Sequence, residues 1–313
     1  MAKSISSSKF TLRLSQLQKD VVKENATCIF ASVGSEARAH VSLWDEIKKL
    51  RPQLCIEVLA QDQRRITVRT IQGEENVLLT DSQQITKLFK TACIYIDISG
   101  LSHQVWAPML KLAFNQADEL VVLYVEPEKY QAHLSPASTS LFDLSDGFGG
   151  VGPLPGFANL RGPQSEREAI FVPFLGFEGT RARFLAMNLD PIPKIIPVVG
   201  VPGFRLEYPQ ITIASNQEFL HENHAHSDIR FARASCPFEA YEALSEVRRD
   251  NPGAYLYLAP IGTKPHALGA IWYAIDHPND TEIMYDHPHR KPKRTAGIGV
   301  AHFYYLKTHH ADQ

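Results

Sequence analysis

The feature that most constrains this chain is an internal repeat, in which a strand-like run leads through a glycine turn into a helical pattern. In the first half TCIFAS runs into Gly34 and Glu36, and in the second half AIFVPF runs into Gly176 and Glu178. Further along, CIYIDISG and YLYLAPIG each precede a helical pattern that carries a tryptophan. The repeat predicts two copies of one plan within a single chain.

Strand and helix patterns alternate through both halves. Several strand-like runs are almost continuously apolar, which is typical of parallel strands covered by helices on both faces. The predicted strands are Thr27–Ser32, Leu54–Ala60, Ile66–Thr70, Cys93–Ile98, Leu120–Val125, Ala169–Phe174, Ile195–Val199, Tyr255–Pro260 and Glu282–Tyr285. The predicted helices are His40–Leu50, Ser82–Lys90, Val105–Gln116, Thr180–Leu189, Phe238–Asp250 and Ala267–Ile275. The alternation indicates an α/β fold of two tandem Rossmann-like units with parallel sheets, related by a pseudo-twofold axis.

One segment, residues 133–166, interrupts the alternation because it is rich in Gly, Pro and Ser. A stretch of this length without secondary structure is unusual inside a compact domain. We interpret it as a linker that is also long enough to cover a site. The expected domains are therefore 1–132 and 167–313. The second half is longer between its glycine turns, and residues 211–226 are the expected extra loop.

Composition and charge narrow the class of protein. Hydrophobic residues make up 44% of the chain, charged residues 21%, and the net charge is −2. A protein that binds long nucleic acid is usually more basic, so a small ligand is favoured over a polymer. There is no apolar run of the roughly 18 to 20 residues that a membrane span needs, and no signal-peptide core at the N-terminus.

The four cysteines, Cys28, Cys55, Cys93 and Cys236, show no CxxC spacing. Three of them fall in apolar or strand-like runs, which favours buried free thiols over a disulfide framework or a metal site. Free thiols are typical of a reducing compartment, so we expect a cytoplasmic protein.

The glycine turns are the first candidate site. In open parallel sheets ligands bind beyond the carboxyl ends of the strands. Gly34, Gly100, Gly176 and Gly262 are all predicted to lie at such ends. We therefore expect the four turns to contribute to one composite cleft.

Gly262, Thr263 and Lys264 follow a strand and open a helix. Glycine lets the backbone approach a ligand closely, the N–H groups at a helix start favour an anion, and lysine adds a point charge for phosphate. A plain helix cap by Thr263 is the alternative, although it gives Lys264 no role. Ser99 and Gly100 form the matching turn of the first half, where Ser102 is an alternative helix cap.

Two carboxylates, Glu36 and Glu178, occupy matching positions at strand-to-helix turns. Each would accept hydrogen bonds from ribose hydroxyls or base amines, or act as a general base. Stabilisation by the helix dipole is the structural alternative. Glu178 stands between Gly176 and Gly179, so it is the stronger candidate and the only one we consider as a catalytic residue.

A dense basic run contains Arg290, Lys291 and Arg294 and follows the last predicted strand. It predicts either an anion clamp near the same sheet edge or a solvated basic loop. Another run, residues 221–228, holds three histidines, but its spacing is not that of a zinc motif, so we assign no metal. No Walker motif, GxGxxG fingerprint or nucleophile elbow is present in convincing context, and we expect no cofactor.

The DISG and GTKP turns, each between a strand and a helix, resemble the second motif of CARF domains, the CRISPR-associated Rossmann-like sensors of cyclic oligonucleotides. Two such units in one chain are similar to SAVED domains, which are fused CARF-like pairs. The resemblance covers two short motifs and the topology. It implies a nucleotide-type ligand and, because no effector domain follows the second unit, a partner protein in bacterial defence.

Three functions stay open on the sequence. The first is a sensor of a nucleotide-type anion that acts through a partner. The second is a Rossmann-like hydrolase or transferase that acts on a nucleotide or sugar-nucleotide with Glu178 as the general base. The third is an interaction subunit without a ligand, because fold alone never fixes function.

Overall fold

The structure, a computed structural model, describes residues 8–32, 34, 36–137, 140–142, 144–159 and 167–307. The chain divides into two compact units. The first comprises Met1–Lys129 and Thr295–Gln313, and the second comprises Tyr130–Arg294. The chain is a mixed α/β protein, as predicted.

The elements of the first unit begin with strands β1 (Ser8–Leu12) and β2 (Thr27–Ala31), followed by helix α1 (Ser42–Leu50). Strands β3 (Cys55–Gln61), β4 (Arg65–Thr70) and β5 (Gly73–Leu78), helix α2 (Ser82–Leu88), strand β6 (Cys93–Asp97), helix α3 (His103–Gln116) and strand β7 (Glu119–Val125) come next. The two-residue strand β8 (Lys129–Tyr130) stands where the first unit ends along the chain.

The second unit contains strands β9 (Ala132–Ala137), β10 (Ser140–Phe142), β11 (Ser145–Phe148) and β12 (Ala169–Pro173), helix α4 (Gly179–Ala186), and strands β13 (Lys194–Ile195) and β14 (Val198–Gly200). Helices α5 (Tyr208–Ser215) and α6 (Gln217–Glu222), strand β15 (Arg230–Ala232), helix α7 (Pro237–Asp250), strand β16 (Tyr255–Ala259), helix α8 (Lys264–Asp276), and strands β17 (Thr281–Ile283) and β18 (Pro288–Arg290) complete it. Strands β19 (Thr295–Ala296) and β20 (Ala301–Lys307) return to the first unit.

An eight-stranded sheet forms the first unit, in the order β1-β20-β7-β6-β2-β3-β4-β5. Its four middle strands, from β7 to β3, run parallel, and the strands at both edges pair antiparallel. All residues of β2, β6 and β7 are buried, which accounts for their nearly continuous apolar sequences. One face packs against α1, where the rings of Phe30 and Trp44 stack at 5.0 Å.

The second unit is built on the parallel strands β13-β12-β16-β17. In both units the four parallel strands have the same spatial order: the second strand along the chain, then the first, the third and the fourth. The direction of chain progression reverses between the first and third strands. In α/β sheets this reversal, the topological switch point, is where ligands bind.

The structure differs from the sequence prediction in three places. Within the predicted linker 133–166, β9 pairs with β10, and β11 pairs with β18, inside the second unit. The predicted loop 211–226 contains most of α5 and all of α6. Residues 301–307 form β20, which lies between β1 and β7 in the first sheet rather than in the second half. The third difference arises because AHFYYLK is rich in aromatic residues, which favour strands, and fills a buried position.

Candidate functional site

The second unit brings two predicted glycine turns into contact at its switch point. Gly176 follows β12 and Gly262 follows β16, and these strands are parallel neighbours. A Cβ at position 262 would lie 2.8 Å from the carbonyl oxygen of Leu175, and one at position 176 would lie 3.0 Å from the carbonyl oxygen of Ile261. Glycine is therefore needed for two backbone turns to pass closely, whether or not a ligand is bound.

A pocket of about 470 Å³ opens beside these turns, between the start of α4 and strands β10 and β11. Its volume is in the range of small-molecule sites. Aromatic rings line much of it, and they belong to Phe142, Phe148, Phe177 and Phe219. The ionisable lining residues are His133, Asp146, Glu178, Arg183 and Glu218. Ser145, Gly147, Gly179, Thr180 and Ser215 complete the lining.

Glu178, the residue favoured by the sequence, lies in this pocket at the start of α4. Its side chain is 16% exposed. The hydroxyl of Ser145 donates a hydrogen bond to Oε1, and the guanidinium of Arg181 lies 3.8 Å from Oε2. Because a carboxylate offers about four acceptor positions, these two neighbours leave capacity for a ligand.

Arg181 connects the start of α4 to two other segments of the second unit. Its Nε and Nη2 donate hydrogen bonds of 2.7 Å to the two carboxylate oxygens of Asp286, and Nη1 donates to the carbonyl oxygen of Ile261 at 3.2 Å. Asp286 is fully buried, and it holds the pKa of the Arg181 guanidinium above its usual range despite the opposing effect of burial. The ion pair ties the start of α4 to the chain beyond β17 and to the turn after β16.

Helix α5 ends against the same pocket. Asn216 donates from Nδ2 to the carbonyl oxygens of Gly176 and Thr212, both at 2.8 Å, and so fixes the first glycine turn. Ser215 lines the pocket and is 8% exposed, and its Oγ makes no hydrogen bond within the described part of the chain. The Oγ atom is itself shielded from solvent, so Ser215 does not present its hydroxyl to the pocket.

Part of the predicted basic run lies close to the pocket. Arg290 stands opposite Ser145 in the register of β18 and β11, and Lys291 Nζ lies 3.4 Å from the carboxylate of Asp146. Arg294 accepts a hydrogen bond at its carbonyl oxygen from Gln131 N, at 2.8 Å. Arg290 and Lys291 are therefore neighbours of two pocket residues.

The turn before α8 is capped as the structural alternative predicted. Thr263 Oγ1 accepts from the N–H of His266 at 3.3 Å and donates to the carbonyl oxygen of Ala234 at 2.7 Å. Lys264 is buried, with only 6% of its surface exposed. Neither residue lines the pocket. Of the predicted site residues only Glu178 lines it, whereas Gly176 precedes the lining residue Phe177, and Arg290 and Lys291 lie beside Ser145 and Asp146.

In the matching turn of the first unit, Ser99 and Gly100 make hydrogen bonds to other residues of that unit. Ser99 is buried, and its Oγ accepts from Val125 N at 2.8 Å. The side chain of Gln61 donates to the carbonyl oxygen of Gly100 at 3.0 Å and accepts from Ser102 N at 2.7 Å. These contacts give Ser99 and Gly100 a structural role at the end of β6.

Glu36 also serves an internal network. Its Oε2 accepts hydrogen bonds from Arg38 Nε at 3.0 Å and from Thr295 Oγ1 at 2.8 Å. Arg38 is 3% exposed and donates to the carbonyl oxygen of Val125 at 2.9 Å. Glu36 is therefore the partner of a buried arginine, whereas Glu178 lines a pocket.

Several residues of the site were not found from the sequence. Ser145, Asp146, Phe142 and Phe148 lie in the predicted linker, and Phe219 lies in the predicted loop. Phe177 lies in the predicted glycine turn but carries no motif signal, and Arg181 pairs with a carboxylate far along the chain. The signal that was available is the shared order of glycine, glutamate and arginine in GSEAR and GFEGTR. Among the described residues, no group of three or more His, Cys, Asp and Glu is placed to hold a metal ion.

The chain matches no model of a known protein family, and no characterised protein matches it at a significant level. In the described part of the chain, every helix is too short or too polar to cross a membrane. All four cysteines are buried and free.

Proposed function

We propose that this chain is a binding module for a nucleotide-type ligand, with a cyclic oligonucleotide as the first candidate. The observation that carries the proposal is the pocket at the start of α4 in the second unit, which combines four aromatic rings and the Glu178 carboxylate, with Arg290 and Lys291 beside it. Aromatic rings stack on bases, carboxylates accept from ribose and base donors, and arginine and lysine bind phosphate.

The proposal includes the view that the two units are copies of one Rossmann-like plan. The shared order of parallel strands supports it, as does the pairing of each glycine turn with a buried arginine. Arg38 lies 5.5 Å from the ring centroid of Tyr124, and Arg181 lies 5.9 Å from that of Tyr285. The pseudo-twofold relation, the composite cleft and the cytoplasmic location stay predictions from the sequence.

The resemblance of the DISG and GTKP turns to CARF and SAVED domains supports a sensor that transmits binding to a partner protein, in the setting of bacterial defence. In this view the first unit is the structural copy, because its Glu36 and Ser99 are occupied by internal contacts. The second unit is the copy that binds the ligand.

One observation favours an enzyme as the second candidate. The Ser145 hydroxyl donates to the Glu178 carboxylate inside the pocket, which is the contact that a nucleophile and its general base would make. Incubation of the purified chain with nucleotides and sugar-nucleotides, followed by chromatography, distinguishes the two. A sensor leaves the ligand intact, whereas an enzyme releases product at a rate that Glu178→Gln lowers by about 10²- to 10⁴-fold.

The experiment that tests binding is a thermal-shift screen of mononucleotides, dinucleotides and cyclic oligonucleotides. A ligand at 100 times its Kd stabilises the folded chain by about 2.7 kcal/mol, which raises Tm by several degrees. Phe148→Ala should weaken binding of the selected ligand by about 1 to 3 kcal/mol through lost stacking. Phe231→Ala is the control, because Phe231 is 60% exposed on β15 and does not line the pocket.

A screen in which no nucleotide raises Tm would contradict the proposal and favour an interaction subunit without a ligand. Binding that both phenylalanine variants reduce equally would move the site away from the pocket.

A further inference from the structure

The pocket lining carries carboxylates, and cations lie beside it, so the base and the phosphate of a nucleotide are expected to contact different groups. The lining includes the carboxylates of Asp146, Glu178 and Glu218, and each has a cation nearby: Lys291 at 3.4 Å, Arg181 at 3.8 Å and Arg183 at 3.9 Å. Carboxylate oxygens accept from groups that carry N–H or O–H donors, whereas a phosphate is repelled by them and attracted to the cations. Arg290 is the last residue of β18, the strand that pairs with β11, and Lys291 follows it.

The aromatic lining selects the planar part of the ligand. The rings of Phe142 and Phe177 contact each other at 4.6 Å, and Phe148 stacks on Phe184 at 5.4 Å. These contacts fix three of the four pocket rings before any ligand arrives. A preorganised set of rings favours a flat, apolar group such as a nucleobase over a ribose.

Glu178 presents acceptor oxygens among these rings. Ser145 donates to one of them, and Arg181 lies at the distance of an ion pair rather than a hydrogen bond from the other. The oxygens that face a bound base are therefore acceptors only. A base that offers an amino group satisfies them, and a base that offers a carbonyl oxygen in its place repels them.

We propose that Glu178 is the specificity-determining residue of the pocket and that it selects a nucleobase with an exocyclic amino group. The inference rests on the proposed function, because it names the part of the nucleotide that enters the site. The base lies among the phenylalanines, its amino group donates to Glu178, and the phosphate stays at the rim.

Titration calorimetry with two matched pairs of nucleotides tests the inference. Adenosine and inosine 5′-monophosphates differ in an amino group against a carbonyl oxygen, and also at the neighbouring ring nitrogen, which carries a hydrogen only in inosine. The cytidine and uridine 5′-monophosphates differ in the same way. The wild-type chain should bind the amino member of a pair roughly 10- to 100-fold more tightly, which is the effect of one hydrogen bond to a charged group.

The variant Glu178→Gln changes the hydrogen bonds that the side chain can make to a base but keeps its size. An amide can donate as well as accept, so the variant should bind inosine monophosphate more tightly than the wild type does, and adenosine monophosphate less tightly. Glu239→Gln is the matched control: Glu239 lies in the first turn of α7, pairs with Arg233 at 3.5 Å and is outside the pocket. It should leave both affinities unchanged.

The outcomes separate this inference from the function on which it rests. If both members of each pair bind equally, or if Glu178→Gln weakens both alike, the chain binds nucleotides but Glu178 does not select the base. The 2′-deoxy form of adenosine monophosphate tests the ribose. If affinity falls only when the 2′-hydroxyl is removed, and not when the amino group is replaced, Glu178 accepts from the ribose and the inference is wrong. If no nucleotide binds in either assay, the proposed function fails and the inference fails with it.

Discussion

Arg181 donates two parallel hydrogen bonds of 2.7 Å to Asp286, although the two residues are 105 positions apart in the chain. The pair joins the helix that begins at the pocket to the segment after β17. Glu178 lies three residues before Arg181 and lines the pocket. The position of Glu178 therefore depends on an ion pair whose residues do not line the pocket.

Asp286→Asn should lower the free energy of unfolding by about 3 to 5 kcal/mol, because it leaves the buried guanidinium of Arg181 without its main counter-charge. Urea unfolding measures the change. Asp280→Asn is the control, since Asp280 is 39% exposed and pairs with Arg167 at 2.6 Å. An exposed pair contributes less than about 1 kcal/mol. Equal decreases in the free energy of unfolding of the two variants would show that the buried Arg181–Asp286 pair stabilises the fold no more than an exposed pair does.

Gly262→Ala should destabilise the second unit by about 1 to 3 kcal/mol, because the added Cβ lies within 3.0 Å of the carbonyl oxygens of Phe174 and Leu175. Gly34→Ala in the first unit should be close to neutral, since the nearest atom to its Cβ, that of Ala39, is at the ordinary distance of 3.5 Å. Thermal unfolding of both variants tests the contrast. Equal tolerance at the two positions would contradict the close crossing of the turns at Gly176 and Gly262.

Lys264→Ala should lower stability, because the stem of the side chain is buried and its loss removes packing. Lys264→Met keeps an apolar stem and removes the charge. If Lys264 binds phosphate, as the sequence predicts, the methionine variant weakens nucleotide binding by about 1.5 to 3 kcal/mol. Calorimetry that finds an unchanged affinity would remove Lys264 from the site.

His266 should make the fold sensitive to acid. Burial lowers the pKa of this histidine from 6.5 to about 4. The unfolded chain therefore binds more protons between these values, and the free energy of unfolding falls as the pH decreases through this window. The loss reaches about 2 kcal/mol at pH 5. Well above pH 6.5 this group has little effect on stability.

Urea unfolding at several pH values checks the acid dependence. His266→Gln should flatten the slope of stability between pH 6.5 and pH 4.5, whatever its effect on absolute stability. His221→Gln, at an exposed histidine, serves as the control and should keep the slope. An unchanged slope in the His266 variant would assign the acid sensitivity to other groups.

Much of the fold was predictable because its central strands are long apolar runs. The predicted strand Leu120–Val125 and the helix Phe238–Asp250 agree with the observed elements to within one residue at either end. The return of β20 to the first sheet was missed, since sheet membership is decided by long-range pairing that a local pattern does not contain.

The candidate site was predictable only in part. Glu178 was found because its flanking glycines and its match to Glu36 are visible in the sequence. Ser145 and Asp146 were missed because the segment that carries them resembles a linker, and their strand, β11, pairs with β18, which lies far along the chain. The different roles of Glu36 and Glu178 depend on their partners, which the repeat alone does not specify.

The central claim is that the pocket beside Glu178 binds the ligand. Hydrogen exchange followed by mass spectrometry, with and without the tightest-binding nucleotide of the thermal-shift screen, tests it most directly. Exchange should slow in peptides that cover 144–148 and 177–183 and change little at the start of α8. Protection confined to other peptides, or no protection at saturating nucleotide, would contradict it.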